Sequence, residues 1–212
     1  MSKRLWVIIG IIIAVFIGFV WVSGSKGPTE GSAGSGTPSV HIIGKDDAKV
    51  KLVEYSDFQC PACGAYFPVV EQVVGKYKDR ISFEYRQYPL TTVHRNAFAA
   101  ARASEAAGKQ GKFWEMYRLL FVNQSNWENS GSAQSIFEGY AKRLQLDPAR
   151  FKTDFASSAT NNAINASIAE FNDRGLPKAT PTFLLNNKKI QPRSADDFSK
   201  LIDAQLELAN KQ

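Results

Sequence analysis

The chain contains only two cysteines, Cys60 and Cys63, and nothing but Pro61 and Ala62 separates them. Just before them, Val50-Lys51-Leu52-Val53-Glu54-Tyr55 reads as a buried strand. Just after them, Pro61 to Tyr77 reads as a helix with Phe67, Val70, Val73 and Val74 on its apolar side and Pro68 expected to bend it. A bridge over two intervening residues removes little entropy from the unfolded chain, so it is a poor staple. The pair is therefore a redox dithiol placed where a strand hands over to a helix. Pro61 marks the first helical position, where the first thiol meets backbone N–H groups that have no partner inside the helix.

Two plainer readings compete with this one. Structural zinc takes four ligands, commonly Cys or His in paired clusters, and the chain adds only His41 and His94, which are not spaced as a pair. No metal or cofactor is expected on that count. Inert packing of two buried thiols is the other reading, since free Cys behaves as a small hydrophobe, and Pro61 argues against it.

Ahead of the strand lie three stretches of different character. Met1 to Arg4 is a basic start, and residues 5–22 form an uncharged apolar run with Trp6 and Trp21 near its ends. As a helix its 18 residues span roughly 27 Å at about 1.5 Å per residue, close to the roughly 30 Å hydrocarbon core. Lys3 and Arg4 favour a cytoplasmic N-terminus, so the expectation is a single membrane anchor with the rest of the chain extracytoplasmic. A cleaved signal peptide is the alternative, although its apolar part is usually only about 7 to 15 residues. Residues 23–39 are almost all Gly, Ser, Pro and Thr and read as a flexible tether of roughly 20 to 25 Å reach.

Residues 40–212 then suit one domain. Of 26 basic and 20 acidic residues in the whole chain, the head keeps 23 and 19 once Lys3, Arg4, Lys26 and Glu30 are set aside. So mild an excess, with no basic run, does not point to nucleic acid. Within the head, Ile81 to Tyr88 alternates as a half-buried strand, and strand-helix-strand argues for a right-handed βαβ unit. An alanine-rich helical insert follows over about 93–174, with Leu146-Asp147-Pro148 as a helix start capped by Asp147. Thr182 to Leu185 returns to strand, Asn186-Asn187 turns a hairpin, and Ala195 to Ala209 closes as an amphipathic helix.

Glu54 interrupts an apolar strand, a costly place for a charge unless it is paired or exposed. It is either a solvent-facing residue on an edge strand or a buried acid with a task. His94, at a helix start, reads as a cap or packing residue. Phe58, Tyr66 and Phe67 read as core beside the dithiol, and Trp114 as core of the insert.

Tyr55-Ser56-Asp57-Phe58-Gln59-Cys60-Pro61-Ala62-Cys63, Gln110-Gly111-Lys112-Phe113-Trp114-Glu115-Met116 and Thr180-Pro181-Thr182-Phe183 together resemble the DsbA-like branch of the thioredoxin superfamily. The resemblance covers essentially all of residues 40–212. It implies an α/β thioredoxin fold with an inserted helical subdomain, here preceded by one transmembrane helix. It further implies a bacterial thiol–disulfide oxidoreductase, most simply a dithiol oxidase of exported proteins, with a reductase or isomerase, or a non-catalytic peptide-binding head, as alternatives. By the same resemblance Cys60 is the nucleophile, Cys63 the resolving thiol, Glu54 a buried acid relaying the proton of Cys63, and Thr180-Pro181 a cis-proline loop facing the disulfide. Pro61 and Ala62 tune the redox potential. Relatives of this kind act as monomers and are recycled by a quinone-linked membrane thiol oxidase, DsbB- or VKOR-like. The chain departs from the DsbA pattern at Ala62, where His is usual, and at Ala179, where Gly often precedes the Thr.

Overall fold

The computed structural model describes residues 36–211, so the expected basic start, the anchor and all but the end of the tether lie outside it. Among the described residues no helix is long and apolar enough to cross a membrane. Five strands, His41–Gly44 (β1), Lys51–Ser56 (β2), Ser82–Gln87 (β3), Thr182–Leu185 (β4) and Lys188–Ile190 (β5), form one sheet in the order β1-β3-β2-β4-β5. β2 and β3 are parallel and are joined through the helix Pro61–Tyr77 (α1), which runs unbroken through Pro68. β4 pairs antiparallel with β2, and β5 with β4. The turn between them uses Asn186 and Asn187 at φ 47° and 65°, the left-handed pair a tight hairpin requires and asparagine tolerates.

Glu54 therefore stands on the central strand, between Tyr85 of β3 and Phe183 of β4. Alternation puts Leu52 and Glu54 on one face of β2 and Val53 and Tyr55 on the other. Val70, Val73 and Val74 of α1 and Phe198 and Ile202 of the closing helix Ala195–Asn210 (α8) bury the Leu52 face. Phe171 packs with Tyr55, Tyr88 and Leu184 on the other.

The insert comprises Ala97–Gly108 (α2), Phe113–Val122 (α3), Gln124–Trp127 (α4), Ala133–Arg143 (α5), Pro148–Ala156 (α6) and Ser158–Asp173 (α7). Its alanines explain its packing. Ala97, Ala100, Ala101, Ala103, Ala106 and Ala107 are all buried, so α2 lies against α3, α5, α6 and α7 at once. Asp147 caps α6 by accepting the Arg150 backbone N–H at 2.9 Å. Trp114 is only half-buried; it touches both the insert's core and the cluster around Phe83.

β1 falls outside the expected order of elements. It pairs with β3 alone, and its hold comes from a residue far along the chain: His41 Nε2–H donates to both carboxylate oxygens of Glu105 at 3.0 and 3.1 Å, and its ring stacks on Phe113 with centroids 3.4 Å apart. Burial pushes the Glu105 carboxyl up, but the hydrogen bond and charge of His41, with help from Ser39 and Gln87, hold it below its ordinary value.

Trp127 anchors α4. It is fully buried, donates Nε1–H to the Leu120 carbonyl at 2.9 Å and packs edge-on against Phe137. Trp127→Ala is expected to cost about 3–5 kcal/mol in urea unfolding, the usual range for emptying a site of this size. A loss under about 1 kcal/mol would mean that the insert does not depend on this anchor.

Candidate functional site

β2 ends at Ser56, and the next four residues are tied down before the helix begins. The Asp57 carboxylate, with no solvent-exposed side-chain surface, accepts the backbone N–H of Gln59 at 2.7 Å, that of Leu90 at 2.9 Å and Nδ1–H of His94 at 2.7 Å. The Asp57 carbonyl accepts the Cys60 N–H at 3.1 Å. Gln59 reaches into the insert, donating to the Glu128 carbonyl at 2.8 Å and accepting the Asn96 N–H at 2.7 Å. Cys60 is the residue before α1, at φ −67° and ψ 124°, and Pro61 opens the helix.

The two sulfurs differ sharply. Both thiols are free and buried, Cys60 at 7% exposure and Cys63 at 0%. The Cys60 thiol donates to the Thr180 carbonyl at 3.6 Å, and the Thr180–Pro181 peptide bond is cis. The Cys63 thiol, donating to the Cys60 sulfur, contributes most to lowering the Cys60 pKa to about 5; burial opposes this, while the Thr180 side chain and the backbone N–H groups of Cys63 and Ala62 add to it. Thr180 thus offers a carbonyl to the thiol and a hydroxyl to the thiolate. The hydroxyl is buried and has no hydrogen-bond partner while Cys60 is a thiol.

Burial pushes Cys63 the other way, well above its ordinary value, and the neighbouring charges of Cys60 and Glu54 add to the rise. Glu54 is 1% exposed, and desolvation lifts its carboxyl from 4.5 to about 7, with Ser56 pulling modestly against this. Glu54 Oε2, Ser56 Oγ, Tyr85 Oη and Tyr117 Oη are all buried without a hydrogen-bond partner. Glu54 and Cys63 both push the Tyr85 and Tyr117 hydroxyls further up, and Ser56 acts on Glu54 and on Cys63, so these polar side chains are neighbours behind the dithiol. Such orphaned groups inside an otherwise apolar core mark a place kept for something other than packing.

The structure brings Cys60, Cys63, Thr180 and Pro181 together, with Glu54 behind Cys63. Pro61 and Ala62 are exposed at the helix tip. Ala62 contributes its backbone N–H and nothing more. His94 packs on Asp57 and is not the residue preceding α2, a position held by Asn96. Phe58 is buried against Tyr85, Tyr117 and Phe121, Phe67 is half-buried against Tyr117 and Phe121, and Tyr66 donates to the Pro192 carbonyl at 2.9 Å. Asp57, Gln59 and Gln124 were not anticipated; the only local hint is a polar residue on each side of Phe58 inside an apolar approach to the cysteines. Among the described residues no group of three or more His, Cys, Asp or Glu could hold a metal ion.

The family profile described as Thioredoxin matches residues 36–204. Oxidised BdbD of Bacillus subtilis superposes with a TM-score of 0.70 at 24% identity, covering 84% of this chain and 100% of that one. α-DsbA1 of Wolbachia pipientis gives 0.71 at 20% identity, with 81% and 93% covered. DsbA2 of Pseudomonas aeruginosa gives 0.62 at 25%, with 83% and 98%. Among curated sequences, Na(+)/H(+) antiporter NhaA 1 of Salinispora arenicola is 38% identical over 149 residues, 70% of this chain but 22% of that protein. NhaA 3 of Salinispora tropica is 37% identical over 172 residues, 78% and 25%. The chain spans about a quarter of the length of these curated relatives, so their name describes proteins that are mostly something else. The profile runs through the dithiol, the insert and the cis-proline loop, and the chain belongs to the thioredoxin family, with the fold of DsbA-type thiol–disulfide oxidoreductases.

Proposed function

We propose that the chain is a thiol–disulfide oxidoreductase working as a dithiol oxidase on exported proteins, held at the membrane by residues 5–22 with its head on the extracytoplasmic side. The observation that carries this is the opposed acidity of two adjacent thiols, Cys60 held down to about 5 and Cys63 pushed well up, beside the Thr180-Pro181 loop.

From the oxidised state, a substrate thiolate attacks Cys60 Sγ. The Cys60–Cys63 bond breaks, and Cys63 leaves with the electron pair. A thiolate at the buried Cys63 is strongly disfavoured, and Glu54, whose carboxyl is lifted to about 7, is the acid that protonates it. The second substrate thiolate then attacks its own sulfur in the mixed disulfide, forming the substrate disulfide and releasing Cys60 as a stable thiolate. Two electrons have passed to the Cys60/Cys63 pair. A quinone-linked thiol oxidase of the membrane, DsbB- or VKOR-like, is the proposed acceptor that restores the disulfide, and the tether lets a monomeric head reach it.

A thiolate more stable than the thiol favours the reduced pair and makes the disulfide oxidising. Ala62 limits how far this goes, since it supplies neither charge nor side-chain hydrogen bond. Equilibration with glutathione should place the pair between about −270 mV, the thioredoxin end, and about −120 mV, the DsbA end. Reoxidation of reduced ribonuclease by the same preparation should be catalytic. A potential below the thioredoxin end would overturn the oxidase direction in favour of reduction.

A further inference from the structure

The turn that carries Cys60 is held from two sides. Gln59 reaches out of it into the insert; Gln124, the first residue of α4, reaches back. The Gln124 side-chain amide donates to the Phe58 carbonyl at 2.7 Å and to the Cys60 carbonyl at 3.0 Å, using both of its N–H bonds on the residues that flank Gln59. Its support is rigid. Trp127, one turn on, is fully buried, and Asn96 Nδ2 donates to the carbonyls of Trp127, Glu128 and Ser130 at 2.9, 3.1 and 2.9 Å. Asn96 is in turn the residue whose N–H Gln59 accepts.

Room for this side chain depends on α1. A Cβ placed on Gly64 would lie 2.7 Å from Gln124 Oε1, closer than van der Waals contact permits. Gly64 sits in the first turn of α1, where a helix interior ordinarily disfavours glycine, and its own N–H donates to the same Cys60 carbonyl at 3.0 Å. One carbonyl oxygen thus takes a bond from the helix and a bond from the insert.

We propose that Gln124 is a positioning residue for Cys60, fixing the Phe58 and Cys60 carbonyls so that the first N–H groups of α1 stay aimed at the Cys60 sulfur. The inference rests on the oxidoreductase reading above, because the placement of this sulfur matters only if Cys60 reacts. Gln124 touches neither sulfur nor substrate; it acts through the peptide plane between Cys60 and Pro61. A donor on that carbonyl also draws electron density away from the sulfur's own residue. In Gln124→Glu the donor becomes an acceptor, two oxygens face two carbonyl oxygens, and a negative charge stands beside a thiolate.

The test is the ultraviolet titration of the Cys60 thiolate in the fully reduced chain, followed by the pH profile of substrate oxidation. Gln124→Glu should raise the titration midpoint by about one pH unit, a tenfold change in proton affinity. The oxidation profile should move with it. Gly64→Ala keeps the amide but drives it off the carbonyls, and should shift the midpoint the same way by less. Alanine is the better helix former at that position, and urea unfolding of the same variant separates the two causes: a shifted titration with an unchanged unfolding midpoint supports positioning, and a shift that appears only with a lowered unfolding midpoint overturns it. Coincident titration curves for the original chain and both variants would overturn the proposal, even if every variant oxidised substrate. Failure of the unaltered chain to oxidise a dithiol at all would instead remove the functional reading, and the titrations need no substrate.

Discussion

Cys60→Ser is expected to bring dithiol oxidation down to the uncatalysed rate, while Cys63→Ser also stops turnover but leaves a covalent trace. The difference follows from the geometry of the two sulfurs. Cys60 is the one with any exposure and the one beside Thr180; Cys63 is sealed behind it. A substrate sulfur can therefore bond only to Cys60. In Cys63→Ser the pair holds no disulfide of its own, so the bond forms when the Cys60 thiolate attacks an oxidised partner, a substrate disulfide or glutathione disulfide, and displaces one of its sulfurs as thiolate. Nothing inside the protein then breaks that bond, so mixed disulfides accumulate and are visible as heavier species on non-reducing gels. Mass mapping should place every adduct at Cys60. Retained turnover in Cys60→Ser, or adducts found on Cys63, would reverse the assignment of the two thiols.

Glu54→Gln should make the protein both more stable and slower, and only in one part of the pH range. The folded carboxyl keeps its proton up to about 7, whereas the unfolded chain releases it near the ordinary value of 4.5. Between those values the folded state binds more protons than the unfolded one, so stability falls as pH rises and the full penalty is present above 7. At about 1.4 kcal/mol per pH unit, that penalty is on the order of 3 kcal/mol. Urea unfolding at pH 8 should therefore show Glu54→Gln more stable by up to that amount, and at pH 4 the two chains should match. The same amide cannot hand a proton to Cys63, so single-turnover exchange near neutral pH should slow by about 10²-fold, the lower range for losing a general acid. A stability gain equal at both pH values, or an unchanged rate, would remove Glu54 from the mechanism.

What could be read from the chain directly was whatever had a local cause. The dithiol and Pro61, the parallel pair on either side of α1, the Asp147 cap and the Asn186-Asn187 turn each depend on a few neighbouring residues, and each lies where the sequence puts it. β1 had no such signal: four residues after a Gly/Ser tether, fixed as a strand by β3, by Phe113 and by Glu105, 64 positions away. Glu54 was open between an edge strand and a buried site because a single strand does not reveal its neighbours; β4 pairing on the far side of β2 makes it central. Asp57 and Gln124 are less legible still. Their partners are His94, 37 residues on, and the Phe58 and Cys60 carbonyls, 66 and 64 residues back, and main-chain acceptors leave no mark in a sequence.

The 7% exposure of Cys60 has a consequence for timing. A residue so nearly covered, with the insert on one side and the cis-proline loop on the other, is met most readily by a thiol that stands clear of its own surroundings on a flexible stretch of chain. Cysteines already packed into a finished domain have no such freedom. Under the proposed function the head therefore acts early in the life of its clients, while their cysteines are still on unstructured segments. A protein that folds faster than it encounters the head would keep its thiols.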